Sequence, residues 1–393
     1  QLNIQLPESE RETEEIAENF YSSLLNGGVI ANNSGFDFGN NSDGCIYTGN
    51  NWGHGFNIAA GLPAAMSTAT HGYDMLSAYR RYVYNTLAAF DPSRHLTVYG
   101  YNGIFNGRGL YTDENLQLMI GSGSYYYTTG DIGFVQDVLP YFEEIIDDYF
   151  LQNLHEVQDY PGHSLYRHAG LSGGDWYYDA MHYTGYNTYI NTVLYKGLLT
   201  ISDLEKAVGN EEKAQDYAIC AAKLREDINA VMWDENAPGG PRYKDWLNEN
   251  GEAAYYCVDL IQFPAIVYGV ADTEQATKIL TTIDRRIEVL KQEYGYAEIA
   301  SLTNYWPIEP ENTMFRWGEY MNGGSIFAVT YHEIVARAKT PGFEESAYRR
   351  YRNFMNAYPL EHGYIGTNSA NMKGEVSNGG EVYLADMVVV ASS

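Results

Sequence analysis

Two carboxylates and three aromatic side chains lie together in one short segment, Gly-Gly-Asp-Trp-Tyr-Tyr-Asp over residues 173–179. The segment falls between two stretches of helical periodicity, so we expect Asp175 and Asp179 to lie on a loop, where a rigid scaffold commonly holds catalytic groups. Aromatic rings stack on the C–H faces of sugars, and carboxylates bind hydroxyls and exchange protons. The segment therefore indicates a sugar site, although a tight turn whose acids cap the next helix would use the same residue types.

The chemistry that suits this segment is the cleavage of a glycosidic bond. One carboxylic acid must stay protonated near neutral pH to donate to the leaving oxygen, and burial beside aromatic rings raises the pKa of a carboxyl group. Asp179 or Asp175 would be this acid. A second carboxylate, which activates water or attacks directly, would come from a distant loop. The candidates for it are Glu375, Glu381 and Glu319.

Other long loops carry aromatic and polar residues that could bind a sugar. The candidates are Trp52, His54, Arg108, Asp113, Trp176, Tyr177, Trp317, Glu319 and Asn322. Two of them also have a structural interpretation. Asp113 lies in Thr-Asp-Glu, a sequence typical of helix N-termini, because acids are favoured there. Asn322 begins Asn-Gly-Gly, which could equally open a helix.

Charge and composition narrow the class of partner. The chain has 393 residues with 24 basic and 51 acidic side chains, a net charge of −27. This charge argues against nucleic acid, anionic membranes and polyuronates, and it fits a neutral oligosaccharide or polysaccharide substrate. The 37 tyrosines are a surplus, and we expect part of it to line a cleft. No apolar run reaches about 20 residues, so no transmembrane helix is predicted.

Motifs for other chemistries are missing from the sequence. It contains no Gly-x-Ser-x-Gly elbow, no P-loop lysine motif and no His-Glu-x-x-His pair. Its cysteines, Cys45, Cys220 and Cys257, lack metal-type spacing. His182 near Asp179 could ligate a metal, but no second histidine follows at helical spacing. We therefore expect a site without metal or cofactor, and the sequence leaves the compartment open.

Helical periodicity dominates the chain and predicts twelve helices. They cover approximately residues 9–25, 55–70, 73–90, 113–129, 131–150, 182–208, 211–234, 253–269, 272–293, 322–338, 343–357 and 379–393. Long loops follow every second helix, over residues 26–54, 91–112, 151–181, 235–252, 294–321 and 358–378. Such alternation predicts an all-α (α/α)6 barrel, a closed ring of six helical hairpins with long loops at one end. An open α-solenoid would require recognisable sequence repeats, and none is found.

The organisation of the chain points to one domain. No linker rich in proline, glycine or serine divides it, which predicts a single catalytic domain over residues 1–393. The helical pattern over residues 379–393 stops in mid-course, and the first residue is not methionine. We therefore expect the sequence to be part of a longer chain.

Several motifs resemble those of the (α/α)6-barrel sugar enzymes, most closely the cellobiose and chitobiose phosphorylase family and its hydrolase relatives. That family shares an Asp-Asp-x-Leu-Trp helix start, a Thr-Gly-Asp break and a Val-Pro-Tyr/Phe segment, which are similar to residues 112–116, 129–131 and 138–142. Residues 173–176 resemble its Gly-Gly-Asp-Trp-Asn-Asp-Gly-Met loop, which carries the proton-donating aspartate. The Asn-Gly-Gly at residues 322–324 resembles its helix entrance. The similarity spans approximately residues 50–340.

Two departures from the family pattern bear on the chemistry. One more residue separates Asp175 from Asp179 than in the family loop. The donor is therefore Asp179, which precedes Met181 much as expected, or Asp175 by strict offset, and we favour Asp179. Met321 stands where the family has a glutamate before Asn-Gly-Gly, which weakens the expectation of phosphate binding.

Together these features predict a glycoside hydrolase that acts with inversion, the stereochemistry that the resemblance implies. Asp179 or Asp175 would be the acid, and Glu381 or Glu375 the base. The first alternative is a phosphorylase, in which Arg316, Ser325 and His332 would hold inorganic phosphate. The second is a barrel that binds glycans without cleaving them. The sequence leaves the sugar, the linkage, the point of attack and the oligomeric state open.

Overall fold

The computed structural model describes residues 39–41, 76, 80, 83, 84, 86–88, 90–97, 112–167, 178, 181–357, 369–375 and 381–383, with the backbone alone at 39–41, 326–328, 369 and 381–383. Eight α-helices lie in these residues: α1 Thr112–Thr129, α2 Ile132–Glu144, α3 Thr188–Ala207, α4 Glu211–Met232, α5 Asp259–Val267, α6 Thr273–Tyr294, α7 Phe327–Lys339 and α8 Glu344–Met355. Helix α2 continues in wider π-helical turns over Ile145–Phe150 and a 3₁₀ turn over Leu151–Asn153.

Short antiparallel strand pairs join the helices in the same part of the chain. The strands are β1 Gly39–Asn41, β2 Phe90–Asp91, β3 Leu96–Thr97, β4 Leu154–Glu156, β5 Ser164–Tyr166, β6 Tyr186–Asn187, β7 Trp233–Asp234, β8 Arg242–Tyr243, β9 Trp246–Leu247, β10 Ser325–Ile326, β11 Ser369–Ala370 and β12 Glu381–Tyr383. The pairs are β1–β12, β2–β3, β4–β5, β6–β9, β7–β8 and β10–β11. Each strand has two or three residues, so the fold rests on its helices.

The extent of burial alternates from one helix to the next along the chain. Helices α1, α3 and α5 are buried over most of their residues, whereas α4, α6 and α8 each bury one face. The inner helices α1, α3, α5 and α7 pack against one another in that order, and α4 and α8 pack outside α3 and α7. Apolar residues spaced for one helical face give the outer helices their single buried stripe.

Most of the described helices confirm the predicted ones, but α3, α5 and α7 begin later. Helix α3 begins at Thr188 rather than residue 182, because β6 pairs with β9 and the side chain of Asn187 then caps the helix, accepting from the N–H of Tyr189 at 2.7 Å. Helix α7 begins at Phe327 rather than residue 322, because the preceding residues 325–326 pair with β11.

Other predicted boundaries need correction or lie outside the described residues. The predicted helix over 253–269 begins only at Asp259. The predicted helix over 379–393 is wrong at 381–383, where the backbone pairs as a strand with β1. Helical residues lie at positions 76, 80, 83, 84, 86 and 87 of the predicted helix over 73–90, and β2 takes over at Phe90. The predicted helices over 9–25 and 55–70 lie outside the described residues.

A buried ion cluster ties three helices together. Oε1 of Glu333, in the middle of α7, accepts from Nε of Arg337 and from Nε of Arg350 on α8, both at 2.9 Å. All three side chains are almost completely buried. Nη2 of Arg337 also donates to Asp284 of α6 at 2.7 Å. Burial alone would raise the pKa of Glu333, but the two guanidinium charges outweigh it and lower the pKa.

Candidate active site

The first turns of the inner helices α1 and α3 are joined by buried polar side chains. The hydroxyl of Tyr189, at the start of α3, donates to Oδ2 of Asp113 at 3.2 Å and accepts from Nε2 of Gln117 at 3.2 Å. Burial, and then the charge of Asp113, raise the pKa of Glu114 well above its ordinary value. Asp113, a predicted sugar-binding residue, is therefore a buried carboxylate near the helix N-terminus, where negative charge is stabilised.

Tyr178 belongs to the predicted acid segment and reaches the start of another inner helix. Its side chain is fully buried, and its hydroxyl donates to Oδ1 of Asp259, the first residue of α5, at 2.8 Å. The N–H of Leu260 donates to the same oxygen at 2.6 Å. Burial raises the pKa of Asp259 well above its ordinary value. The sequence analysis missed Asp259; an acid directly before the apolar run Leu-Ile-Gln-Phe-Pro-Ala-Ile-Val was the available signal.

Several chain segments converge on this helix start. The N–H of Asp259 donates to the carbonyl of Thr303 at 3.1 Å, and the N–H of Thr303 donates to Gly324 at 2.7 Å. The N–H of His182 donates to the carbonyl of Asn312 at 3.0 Å, and Met181 is bridged to Thr313. We call the residues that meet here, 178, 181–182, 258–259, 302–304 and 312–325, the loop junction. It brings parts of the predicted loops 151–181 and 294–321 to the start of α5.

Asn322 lies in the loop junction, and its side chain forms four hydrogen bonds there. Its Nδ2 donates to the carbonyls of Phe315 at 2.9 Å and Ile308 at 3.4 Å. Its Oδ1 accepts from the N–H of Ile308 at 3.0 Å and from Nδ2 of Asn304 at 3.3 Å. The side chain is buried. These contacts hold the loop, and a role of Asn322 in binding sugar stays a prediction.

Trp317 and Glu319 lie on the same turn of the loop junction. The ring of Trp317 packs over Gly323, where an added Cβ would lie 2.6 Å from a ring carbon, and meets Tyr294 edge-on with centroids 6.1 Å apart. Glu319 is exposed and forms a backbone bridge to Asn322. A half-buried indole and an exposed carboxylate on one turn are compatible with the sugar-binding roles predicted for them, which stay predictions.

Glu375, a candidate base, lies near this turn. The N–H of Met372 donates to the carbonyl of Gly318 at 3.0 Å, so residues 369–375 run beside the turn that carries Trp317. Glu375 is exposed, and its Oε2 accepts from Nδ2 of Asn371 at 2.7 Å. Glu381, the other candidate, is described by backbone alone, in β12 opposite Asn41. The predicted site residues that lie outside the described residues are Trp52, His54, Arg108, Asp175, Trp176, Tyr177 and Asp179.

A surface cavity of about 500 Å³ is lined by residues that flank the predicted acid segment in the sequence. Arg167, the last described residue before the segment, and Tyr186, which follows it, both line the cavity. Nη2 of Arg167 donates to Oε1 of Glu249, which also lines the cavity, at 3.1 Å. The cavity volume is within the range of small-ligand sites, about 300–1,000 Å³.

His332, considered as a phosphate ligand, is buried on α7 beneath Tyr268, whose hydroxyl lies 3.4 Å from its Nε2. Burial lowers the pKa of His332 to about 3, so the imidazole is uncharged at neutral pH and brings no positive charge to a phosphate. Among the described residues, no group of three His, Cys, Asp or Glu side chains could hold a metal ion. No helix in that same part of the chain is long and apolar enough to cross a membrane.

Residues 77–358 match the sequence model of the glycosyl hydrolase 94 superfamily, catalytic domain. The chain belongs to the glycosyl hydrolase 94 superfamily. Membership of glycosyl hydrolase 94 confirms the resemblance to barrel-type sugar enzymes and indicates an enzyme that acts on glycosidic bonds, by hydrolysis or by phosphorolysis. None of the curated protein sequences matches this glycosyl hydrolase 94 chain significantly.

Two solved structures are similar to this glycosyl hydrolase 94 chain to different degrees. The crystal structure of the GH63 mannosylglycerate hydrolase from Thermus thermophilus, a complex with Tris and D-glycerate, is 11% identical, with a TM-score of 0.63 over 96% of this chain and 99% of that one. The GH78 family rhamnosidase of Bacillus sp. GL1 is 17% identical, with a TM-score of 0.49 over 80% of this chain. This chain spans 29% of the rhamnosidase's length. The first likeness shows a shared helix-rich fold.

Proposed function

We propose that this chain is an inverting glycoside hydrolase with a single catalytic domain folded as an (α/α)6 barrel. Three observations support the barrel. Buried and half-buried helices alternate along the described chain, and the inner helices pack in the sequence order α1, α3, α5, α7. The mannosylglycerate hydrolase also shares the helix-rich fold. Described parts of two predicted long loops meet at the N-terminal end of the inner helix α5, where a barrel would open.

Asp179 is the proposed general acid, with Asp175 the alternative, and Glu375 or Glu381 the proposed base. The observation that supports this assignment is the buried hydrogen bond from Tyr178, the residue directly before Asp179, to Asp259 in the loop junction. An exposed Glu375 beside the Trp317 turn could activate water there. Inversion requires the two carboxyl groups to lie about 6.5–9.5 Å apart, whereas retention requires about 5 Å.

The proposed substrate is a neutral oligosaccharide. The net charge of −27 disfavours anionic glycans, and the described walls of the nearby cavity offer tyrosine rings together with amide and carboxylate groups. Trp52, Trp176, Tyr177 and Trp317 are the proposed sugar platforms. Arg108, His54, Asp113, Glu319 and Asn322 are the proposed binders of hydroxyl groups.

Product analysis tests the proposal. The purified protein is incubated with gluco-, manno-, galacto- and chito-oligosaccharides, with and without inorganic phosphate, and the initial anomer of the product is read by NMR. Free sugar of inverted configuration, formed without phosphate and lost in Asp179→Asn, is the expected result. Sugar phosphate that forms only with added phosphate would replace the hydrolase by the phosphorylase. Sugar affinity without any product, unchanged in Asp179→Asn, would favour the glycan-binding barrel.

A further inference from the structure

The surface cavity of about 500 Å³ lies between two hairpins. One is β4–β5 with its connecting loop, which lines the cavity with residues 156–160. The other is the turn that follows β9, which lines it with residues 247–249 and 251. Tyr186 connects the two hairpins, because its strand β6 pairs with β9 and its hydroxyl donates to the carbonyl of Glu156 at 3.3 Å. The walls of the cavity are therefore parts of one folded scaffold.

Side-chain hydrogen bonds hold each of the two hairpins in place. Nζ of Lys244, which is buried, donates to the hydroxyl of Tyr160 at 3.0 Å. In the turn after β9, Oδ1 of Asn248 accepts from the N–H groups of Asn250 and Glu252 at 3.0 and 2.9 Å. These bonds form within the protein itself, so a ligand of the cavity would not have to order the walls at a cost in entropy.

Asp159 has an unusual backbone conformation in the loop between β4 and β5. The N–H of Tyr160 donates to the carbonyl of Val157 at 3.0 Å, which closes a β-turn over residues 157–160 with Asp159 at its third position and a φ of 69°. Glycine ordinarily takes a positive φ at this position, as Gly162 does in the next turn at φ 81°. The side chain of Asp159 is exposed, lines the cavity and forms no hydrogen bond with the other described residues. The turn therefore offers a carboxylate to the cavity in place of the glycine that its geometry favours.

The charges on the walls restrict the class of ligand. The described ionisable side chains that line the cavity are three carboxylates and one guanidinium, Glu156, Asp159, Glu249 and Arg167, and the guanidinium is already paired with Glu249. An anion would be repelled, and no group of three described His, Cys, Asp or Glu side chains could hold a metal ion. A neutral sugar fits, because its hydroxyls donate to carboxylates and its C–H faces pack on tyrosine rings.

A row of aromatic rings runs from the wall of the cavity to the loop junction. The ring of Trp246, which precedes the wall residue Leu247, lies 6.1 Å from that of Tyr183 and 5.2 Å from that of Tyr256, measured between centroids. Nδ2 of Asn312, in the loop junction, donates to the hydroxyl of Tyr256 at 3.3 Å. Tyr183 and Tyr256 are only half-buried. The cavity and the loop junction are therefore connected by described contacts, along which part of two aromatic rings is accessible.

We propose that this cavity is an outer sugar-binding subsite, which holds a distal unit of a neutral oligosaccharide whose scissile bond lies at the loop junction. This inference rests on the proposed function. The carboxylate of Asp159 would accept a hydrogen bond from a sugar hydroxyl. The preferred substrate is then longer than a disaccharide, because the aromatic row separates the cavity from the loop junction.

Two substitutions of Asp159 and one control test the proposal. Asp159→Gly removes the carboxylate and keeps the positive φ without strain, so it should fold as well as the parent. Asp159→Asn keeps the shape and removes only the charge. Asp216→Asn makes the same chemical change at an exposed position of the outer helix α4, which does not line the cavity. Circular dichroism checks that each variant is folded.

The first measurement is kcat/KM for di- to hexasaccharides of whichever neutral series the parent cleaves. We expect the parent to prefer the hexasaccharide to the disaccharide by about tenfold or more, and Asp159→Gly to reduce this ratio by about tenfold, as the loss of one charge-assisted hydrogen bond does. Asp159→Asn should reduce it less, and Asp216→Asn should keep the ratio of the parent. Equal kcat/KM for all lengths in the parent, or a ratio that is unchanged in Asp159→Gly, would overturn the proposal.

The second measurement locates the bound sugar. Amide hydrogen exchange is followed in peptides from residues 154–166 and 246–252, with hexasaccharides of the gluco, manno, galacto and chito series and with an oligogalacturonate. We expect one of the neutral hexasaccharides to slow exchange several-fold in both hairpins, and Asp159→Gly to weaken this protection. No protection by any neutral hexasaccharide, or equal protection by the anionic one, would contradict the proposal. If the parent cleaves no glycan, the proposed function fails, and the exchange data still decide whether the cavity binds sugar.

Discussion

A pair of carboxyl groups, Glu205 near the end of α3 and Glu143 near the end of α2, makes the stability of the protein depend on pH. Glu205 lies in the last turn of α3 and is completely buried, and its Oε2 accepts from Nδ2 of Asn210 at 2.7 Å. Its Oε1 has no donor among the described residues, and the carboxyl of Glu143 faces it. Glu143 is in turn paired with Nζ of Lys213 at 2.7 Å. A proton on Glu205 can therefore be donated to the carboxylate of Glu143.

The electrostatic surroundings decide which carboxyl keeps this proton. Burial, and then the hydrogen bond with Glu143, raise the pKa of Glu205 to about 7, and a negative charge at a helix C-terminus is disfavoured as well. For Glu143, burial raises the pKa, but the hydrogen bond with Glu205 and the charge of Lys213 outweigh it and lower the pKa. The unfolded chain loses the Glu205 proton near the ordinary value of 4.5.

Between these two pH values the folded state binds one more proton than the unfolded state. The contribution of Glu205 to stability is therefore complete below pH 4.5 and is lost as pH rises through about 7. At about 1.4 kcal/mol for each pH unit, this interval sets an upper bound of about 3 kcal/mol. Replacing Glu205 by glutamine, which keeps the shape and the donor, should remove this loss.

The prediction is tested by urea unfolding of the parent protein and Glu205→Gln between pH 5 and pH 8. We expect the free energies of unfolding to differ least at pH 5, and the variant to gain about 2 kcal/mol relative to the parent between pH 5 and pH 8. Glu226→Gln, an exposed change on α4, is the control and should follow the parent throughout. A Glu205→Gln protein with the same pH dependence as the parent would refute the reasoning.

Three further substitutions are predicted to lower the free energy of unfolding in the same urea assay. Glu333→Gln removes the buried charge that Arg337 and Arg350 share, and leaves Arg337 with the half-exposed Asp284 and Arg350 with Glu298 at 3.9 Å, so it should cost about 3 kcal/mol; a loss below 1 kcal/mol, on the order of a surface pair, would contradict this. Asp272→Ala removes the capping box of α6 and should cost about 1 kcal/mol; no loss would mean that packing alone holds this end. Gly323 has a left-handed backbone at φ 81°, and a Cβ added there would lie 2.6 Å from a ring carbon of Trp317. Gly323→Ala should therefore lower the free energy of unfolding by about 2 kcal/mol or more. Gly209→Ala, at φ 89° with open space around it, is its control and should cost less.

The sequence alone determined where most of the described helices lie, and it indicated the family. Periodicity placed α1, α4 and α6 within two residues of their ends, because helix periodicity and capping act between residues a few positions apart. Asp272 and Gly295 mark the two ends of α6 for this reason: one supplies the capping box, and the other ends the helix with a left-handed backbone. The motifs around residues 108–142 and 173–179 were also readable directly, and the family match confirms the relationship that they indicated.

Only the tertiary structure decided which polar residues meet. Tyr178 and Asp259 are 81 positions apart, and nothing local to either residue signals that they are bonded. Glu333 reads as one acid in the middle of a helix, and its two arginine partners follow 4 and 17 positions later. Strands β6 and β9 pair directly before α3 and shift its start to Thr188. Each has two residues, too few to show the alternation of a strand in the sequence. Such contacts depend on how buried faces pack across the whole chain. A hydrogen bond between polar groups contributes most to stability once that packing has excluded water from them, and the sequence near either residue does not show this packing.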